Sequence, residues 1–175
     1  TQYMTHPEEW TYHIPEGMTT MEGALVEPAA VGMHAAVLGG AQPGKSIVIL
    51  GGGTIGLMVL QACISLGATD ITVVDVIEKR LELAKKLGAA RVINGKEEDT
   101  VAVLRSEEMY GDHGVDLVFE AAGAVFTAQQ AVQIVSRGGK IMMVGTQSKP
   151  VPIDFLKINR EVTIQTSFRY CNNFP

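Results

Sequence analysis

Three glycines have the spacing that could hold a phosphate-containing ligand. Gly51, Gly53 and Gly56 follow the apolar run 47–50 and fit the pattern G-x-G-x-x-G. In a strand–turn–helix unit the first glycine turns the chain, the second lets the backbone approach a pyrophosphate, and the third allows close helix-to-strand packing. The pattern therefore predicts a pyrophosphate site at a helix N-terminus. The predicted binding turn comprises Gly51, Gly53, Thr54, Ile55 and Gly56.

A carboxylate follows at the end of the next apolar run. Asp75 ends the segment 70–75 and lies nineteen positions after Gly56. An acidic residue about 20 positions after the glycines is expected to accept hydrogen bonds from both ribose hydroxyls of NAD. Its charge would also repel a 2′-phosphate, so the sequence favours NAD over NADP. The alternative is a buried glycine turn followed by an acidic strand end, with no ligand.

Composition and charge argue against several classes of protein. The chain has 175 residues, 46% of them apolar, which suits one domain with room for a fragment of another. The net charge of −5 and the scattered Lys and Arg residues predict no nucleic-acid partner. No stretch approaches the roughly 20 apolar residues that span a bilayer, and the first residues lack a signal-peptide pattern. Cys63, expected in the core, and Cys171 make no disulfide framework, which favours a cytoplasmic location.

The first eighteen residues differ from the rest of the chain. Segments 2–5 and 10–14 alternate apolar and polar residues, as half-buried strands do. We expect two short strands that belong to a second, β-rich domain. The sequence therefore predicts a remnant of that domain at 1–18, a cofactor-binding domain at 19–168, and the return towards the other domain at 169–175.

The remaining pattern alternates helices and strands. A capping box at Thr19 and Glu22 opens a helix that reaches Gly39 and Gly40, with a new first turn expected at Pro28. Strands are expected at 47–50, 70–75, 91–93, 115–119, 140–146 and 162–168, and further helices at 55–64, 77–87, 96–109 and 125–135. This α/β alternation predicts a doubly wound (Rossmann) parallel sheet of six strands in the order 3-2-1-4-5-6.

Taken together, four features resemble the zinc-dependent medium-chain dehydrogenases, and most closely their sorbitol (polyol) dehydrogenase branch. They are the segment 23–35, the glycine turn, Asp75 with Arg80, and the segment 167–170. The resemblance covers essentially all 175 residues. Its most specific parts are Val-Glu-Pro at 26–28 and Phe-Arg-Tyr at 168–170, because many families share the glycine pattern.

The resemblance implies a role for each matched residue. Asp75 and Arg80 would flank the adenosine ribose, although Arg80 could be a simple surface charge. The residues that would line the nicotinamide ribose and ring are Ala121, Ala122, Val144, Gly145, Ser167, Phe168 and Arg169. The alternatives left open are an ordinary strand end at 144–145 and a core position for Phe168.

The resemblance also implies a catalytic zinc in the full-length enzyme. Glu27 matches the family glutamate that faces this zinc directly or through a water, whereas the residue pattern alone suggests only an acid at a helix start before Pro28. The family's other zinc ligands are absent from this sequence, and its four histidines are not spaced as a metal cluster. Arg169, beside the ring, could bind substrate oxygens or be a solvated or ion-paired arginine.

The function expected from this resemblance is oxidation of a secondary alcohol, such as a polyol, to a ketone with hydride transfer to NAD. The isolated chain is expected to bind NAD and to be inactive. Alternatives are the cofactor domain of a threonine or sugar-phosphate polyol dehydrogenase, a non-catalytic NAD-binding module, and an adenosylmethionine-dependent methyltransferase. The family also implies a homodimer through an edge strand at 150–154.

Overall fold

The computed structural model describes residues 2–156, 158 and 160–170, and its centre is a six-stranded parallel sheet. The strands are β1 (Ser46–Leu50), β2 (Asp70–Asp75), β3 (Arg91–Asn94), β4 (Val115–Glu120), β5 (Val135–Met143) and β6 (Thr163–Thr166). They lie in the order β3-β2-β1-β4-β5-β6, so the predicted fold class and strand order are confirmed.

Among the described residues, five α-helices accompany the sheet, and a short 3₁₀ helix, Glu8–Trp10, precedes them. They are α1 (Thr20–Gly39), α2 (Thr54–Ser65), α3 (Glu78–Lys86), α4 (Thr100–Leu104) and α5 (Val125–Ile134). Within the described part of the chain, none of the helices has both the length and the apolar character needed to cross a bilayer.

The central strands are buried on both faces. In β1, Ile47 and Ile49 contribute to one apolar cluster, and Val48 and Leu50 contribute to the other. Successive side chains of a strand point to opposite faces, so a sheet covered on both sides needs a continuous apolar run rather than an alternating one. The run 47–50 is of that kind, which is why it could be recognised as a central strand.

The thiol expected in the core is there. Cys63 lies on α2 and is fully buried in the first apolar cluster. Burial raises the pKa of this thiol to about 12, because a thiolate would lose its hydration. Cys63 is therefore a protonated packing residue at neutral pH. Cys171 lies outside the described residues.

Helix α1 packs against α2 at a glycine. A Cβ atom at Gly32 would lie 2.5 Å from the carbonyl carbon of Met58, so the two helix backbones are in close contact there. The predicted capping box is present, since the Thr19 amide donates to Glu22 Oε2 (2.8 Å) and the Glu22 amide donates to Thr19 Oγ1 (3.2 Å). Gly40 ends the helix in the left-handed conformation. This packing positions α2, whose first turn forms part of the candidate site.

The prediction of a new first turn at Pro28 was wrong. Pro28 lies inside α1, which runs without a break. Proline has no amide N–H, so the helix gives up the hydrogen bond to the Ala24 carbonyl. The capping box before it and the tight contact at Gly32 after it hold the two halves in one helix.

The prediction of strands within the first eighteen residues was also wrong. Residues 2–18 contain the 3₁₀ helix Glu8–Trp10 and no strand. Alternating apolar residues form a strand only when a neighbouring strand takes up their backbone hydrogen bonds. In this segment the Trp10 amide donates to the Pro7 carbonyl instead (3.2 Å), which closes a local turn.

Other helix and strand boundaries also differ from the expected ones. The helix expected at 96–109 is restricted to α4, because Asp99 caps it by accepting from the Val101 and Ala102 amides. Strands β5 and β6 end at Met143 and Thr166, before the predicted limits. Residues 150–154 are not a strand of this sheet. Their proline nitrogens cannot donate, and the Pro152 carbonyl accepts from Gln129 Nε2 on α5 instead (3.3 Å).

The α1–α2 contact can be tested by adding one methyl group. We expect Gly32→Ala to lower the free energy of unfolding by about 2 kcal/mol or more, because the new Cβ would meet rigid backbone. The matched control is Gly23→Ala on the same helix, where the Cβ would meet the flexible end of Ile14. Urea denaturation of both variants provides the comparison. Equal stability of the two would contradict the assigned packing.

Candidate cofactor-binding site

The three glycines of the turn between β1 and α2 differ in their surroundings. Gly51 has φ +109°, a conformation that favours glycine, and its amide donates to the Val74 carbonyl (2.8 Å). A Cβ at Gly56 would lie 1.8 Å from the Gly51 carbonyl oxygen, so no side chain fits there. A Cβ at Gly53 would meet no atom within 4 Å. The chain therefore turns at Gly51 and is tightly packed at Gly56, and the open side lies at Gly53.

The first turn of α2 is a potential anion site. Its N-cap, Gly53, has no side chain, so no side-chain cap covers the helix start. Thr54 is exposed, and Ile55 packs against the first apolar cluster. The first amides of a helix point outward and carry the positive end of the helix dipole, which favours a phosphate group.

Asp75 closes the next strand and is bound on both carboxylate oxygens. Its Oδ2 accepts from the Gly52 amide (2.7 Å), which ties the end of β2 to the glycine turn. Its Oδ1 accepts from the Val76 and Ile77 amides (2.8 and 2.9 Å). The side chain is 5% exposed. These bonds hold the carboxylate at the same edge of the sheet as the start of α2.

Arg80 forms the remaining contact of that carboxylate. Its Nη1 lies 3.3 Å from Asp75 Oδ2, and its side chain is 48% exposed. An ion pair with one solvated partner contributes little to stability. The structure thus places Arg80 beside Asp75, with its guanidinium half-exposed.

The loops that follow β4 and β5 meet beside the glycine turn. A Cβ at Gly51 would lie 2.8 Å from the Ala122 amide nitrogen, which shows how closely the turn and the loop after β4 approach. A Cβ at Gly145 would lie 2.3 Å from the amide nitrogen of Gly123. Residues Ala121, Ala122, Val144 and Gly145 therefore share one edge with the glycine turn.

Glu120 is a site residue that the sequence reasoning did not single out. It ends β4 and is fully buried. Its Oε1 accepts from the Ala122 and Gly123 amides (3.1 and 2.9 Å), and its carbonyl accepts from Val144 N and Gly145 N (both 2.8 Å). The available signal was an acid that ends an apolar run, the same signal that identified Asp75.

The segment after β6 contributes three more predicted residues. Ser167 is 7% exposed, and its Oγ has no hydrogen-bond partner among the described residues. Phe168 is 75% exposed, so it is not a core residue. Arg169 has φ +53°, and its guanidinium carbon lies 5.2 Å from the Phe168 ring centroid. A buried hydroxyl without a partner beside the sheet edge fits a site that a polar ligand completes.

Glu27 stands apart from any metal cluster. It lies on α1 and its side chain is exposed. Across the described part of the chain, no group of three or more His, Cys, Asp or Glu side chains could hold a metal ion. The residues described here do not by themselves fit a zinc site, whereas the glycine turn, Asp75 and Ser167 fit a dinucleotide.

Comparisons with known proteins agree with this geometry. The chain matches the family model described as zinc-binding dehydrogenase over residues 54–175. It is 62% identical over all of its length to the uncharacterised zinc-type alcohol dehydrogenase-like protein YdjJ of Escherichia coli (strain K12), covering 50% of that protein. It is 39% identical to sorbitol dehydrogenase of Bacillus subtilis (strain 168), with 99% of this chain and 49% of that protein covered.

Solved structures share the fold. An oxidoreductase/dehydrogenase of unknown specificity from Escherichia coli superposes with a TM-score of 0.92 at 61% identity, covering 96% of this chain and 48% of the other. A zinc-binding dehydrogenase from Sinorhizobium meliloti 1021 bound to NADP has a TM-score of 0.86 at 29% identity, covering 94% and 49%. The chain thus spans about half the length of the relatives it matches. With the family match over most of its length, it belongs to the zinc-binding dehydrogenase family.

Proposed function

We propose that this chain is the NAD-binding part of a zinc-dependent polyol dehydrogenase. The full-length enzyme would oxidise a secondary alcohol to a ketone and transfer the hydride to NAD. The observation that carries the proposal is Asp75, a carboxylate fixed 2.7 Å from the Gly52 amide, beside a helix start without a side-chain cap. An acid in this place is suited to bind ribose hydroxyls, and the helix start is suited to bind the pyrophosphate.

The binding mode follows from the arrangement along the edge of the sheet. The pyrophosphate lies against Gly53 and the first turn of α2. The adenosine ribose lies at Asp75, and its hydroxyls take the place that Arg80 occupies at Oδ2. The nicotinamide end lies across the loops after β4 and β5, where the unpaired hydroxyl of Ser167 supplies a polar partner.

The cofactor preference rests on charge. A 2′-phosphate at the adenosine ribose would bring a second negative group to the carboxylate of Asp75, and like charges placed together weaken binding strongly. Arg80 could offset part of that repulsion, since it already contacts the same carboxylate. NAD is the proposed cofactor, even though a relative with 29% identity was solved with NADP.

The chemistry divides between two groups of residues. In the full-length enzyme the alcohol carbon would give up a hydride to the nicotinamide of NAD and its hydroxyl would release a proton to solvent, which would leave a ketone and NADH. This chain orients the nicotinamide, and Arg169 is proposed to hydrogen-bond the substrate oxygens. The zinc belongs to the full-length enzyme in this proposal, and Glu27 is the candidate residue of this chain that would face it.

An exposed apolar face supports the presence of further protein around this chain. Met21 and Leu25 are one helical turn apart on α1 and are 79% and 47% exposed, and Trp10 before them is 68% exposed. Exposed large apolar side chains such as these are found at interaction sites in many proteins. We propose that the rest of the enzyme covers it, and that residues 1–18 belong to that part. The homodimer and the cytoplasmic location remain predictions.

Two alternatives keep the same fold. Threonine and sugar-phosphate polyol dehydrogenases would use the same cofactor site with another substrate. A non-catalytic NAD-binding module would bind NAD without turnover in the full-length protein. The adenosylmethionine-dependent methyltransferase is disfavoured, because the family match is to dehydrogenases.

Ligand titration tests the cofactor assignment. We expect NAD to bind the purified chain more tightly than NADP by about tenfold or more, and adenosylmethionine not to bind. The chain alone is expected to show no sorbitol-dependent reduction of NAD, because the substrate and zinc residues belong to the full-length enzyme. Binding is measured by isothermal titration calorimetry and activity by NADH absorbance. A sorbitol-dependent rate from the chain alone would refute the prediction that this chain is inactive without the rest of the enzyme.

A methyl group at Gly53 separates binding from folding. Gly53 has φ −71° and no atom within 4 Å of an added Cβ, so Gly53→Ala should cost less than about 1 kcal/mol of stability. The same methyl would occupy the space where the pyrophosphate approaches, so we expect NAD affinity to fall about tenfold or more. Gly23→Ala is the control with a distant methyl group. Unchanged NAD affinity in Gly53→Ala would place the pyrophosphate elsewhere.

Removing the charge of Asp75 should change cofactor preference. Asp75→Asn keeps an acceptor for ribose hydroxyls but removes the repulsion of a 2′-phosphate, so the NAD-to-NADP affinity ratio should fall about tenfold. Glu78→Gln removes one charge from the exposed first turn of α3 and should leave the ratio unchanged. Calorimetric titration of both cofactors provides the ratio, and equal effects of the two substitutions would count against a contact between Asp75 and the ribose.

A further inference from the structure

One buried carboxylate joins the two loops at the nicotinamide end of the proposed site. Glu120 Oε1 accepts hydrogen bonds from the Ala122 and Gly123 amides. The same oxygen accepts a third from Oγ1 of Thr127 (2.7 Å), which lies on α5. Its Oε2 accepts from Gln147 Nε2 (2.8 Å), which lies on the loop after β5. Both loops therefore share a single carboxylate that is closed off from water.

The two loops are also in direct contact. A Cβ at Gly145 would lie 2.8 Å from Glu120 Oε2, and one at Gly123 would lie 2.7 Å from the Thr146 carbonyl oxygen. With no room for either side chain, a small change in the position of one loop has to move the other. The hydrogen bond from Gln147 thus acts on both loops through Glu120.

The amide of Gln147 suits this place for a chemical reason. An ionised carboxylate only accepts hydrogen bonds, and a buried one is costly unless donors surround it. Gln147 Nε2 supplies a donor to Oε2 without adding a charge. Gln147 Oε1 is buried and has no partner among the described residues. Gln147 therefore contributes to this cluster through its donor group.

We propose that Gln147 is a positioning residue for the nicotinamide end of the cofactor, and that it acts through Glu120. This inference rests on the proposed function, since the loops at 121–123 and 144–147 matter to a cofactor only if its ring lies there. The adenosine end is set by Asp75 on β2, which lies on the far side of β1 from β4. Loss of the Gln147 donor therefore affects one end of the cofactor and not the other.

The test compares a ligand that spans both ends with one that occupies the adenosine end alone. NADH and ADP are titrated into the chain and into the variants Gln147→Ala and Gln147→Glu, with Gln42→Ala as the control. Gln147→Glu keeps the length of the side chain but removes its donor and adds a like charge. Gln42 is exposed in the loop before β1, at the opposite edge of the sheet. Thermal melting by circular dichroism checks that each variant is folded.

The expected result is a split between the two ligands. The dissociation constant of NADH rises about tenfold in both Gln147 variants, that of ADP changes by less than about twofold, and the control matches the wild type. Wild-type NADH affinity in Gln147→Glu would mean that only the shape of the side chain matters, and would overturn the proposal. Equal weakening of NADH and ADP would overturn it as a general loss of structure. If the wild-type chain binds neither ligand, the proposed function itself fails, and this inference fails with it.

Discussion

The approach of helix α2 to the Gly51 carbonyl oxygen is the constraint on which the candidate site depends. A Cβ at Gly56 would lie 1.8 Å from that oxygen, so the helix can begin this close to β1 only because a glycine stands there. The first amides of α2 are thereby held at the carboxyl end of the sheet. Since the strands are parallel, the ends of β2, β4, β5 and β6 lie along the same edge. One local contact between backbones thus selects the edge at which a ligand can bind.

Two acids hold the loops at this edge in place, and the carboxylate of each accepts hydrogen bonds from backbone amides as well as from side chains. Asp75 binds the Gly52, Val76 and Ile77 amides, and Glu120 binds those of Ala122 and Gly123. A carboxylate that accepts several amide hydrogen bonds compensates for its lost hydration and fixes the loop that donates them. The two acids differ in how accessible their carboxylates are to other groups. Asp75 shares an oxygen with the half-exposed Arg80, whereas Glu120 is fully enclosed and can only position its neighbours.

The family match and the share of the relatives' length that is covered help to interpret this arrangement. The chain belongs to the zinc-binding dehydrogenase family and covers about half of the relatives that it matches. Its described residues hold the features suited to a dinucleotide and no cluster suited to a metal. The same chain leaves apolar residues exposed along one face of α1, as at an interaction surface.

The sequence by itself determined the features that are encoded locally. The glycine spacing, the apolar run 47–50, the capping box at Thr19 and the acid at Asp75 each depend on a few neighbouring residues, and the fold class and strand order followed from their alternation. Tertiary structure decided the features that depend on contacts between residues far apart in the sequence. Residues 2–18 form no strand because the described chain offers them no neighbouring strand, and α1 continues through Pro28 because it is packed against α2. Glu120 ends an apolar run as Asp75 does, but its role in joining two loops depends on tertiary structure, since the donor on the loop after β5 reaches it only when β4 and β5 lie side by side.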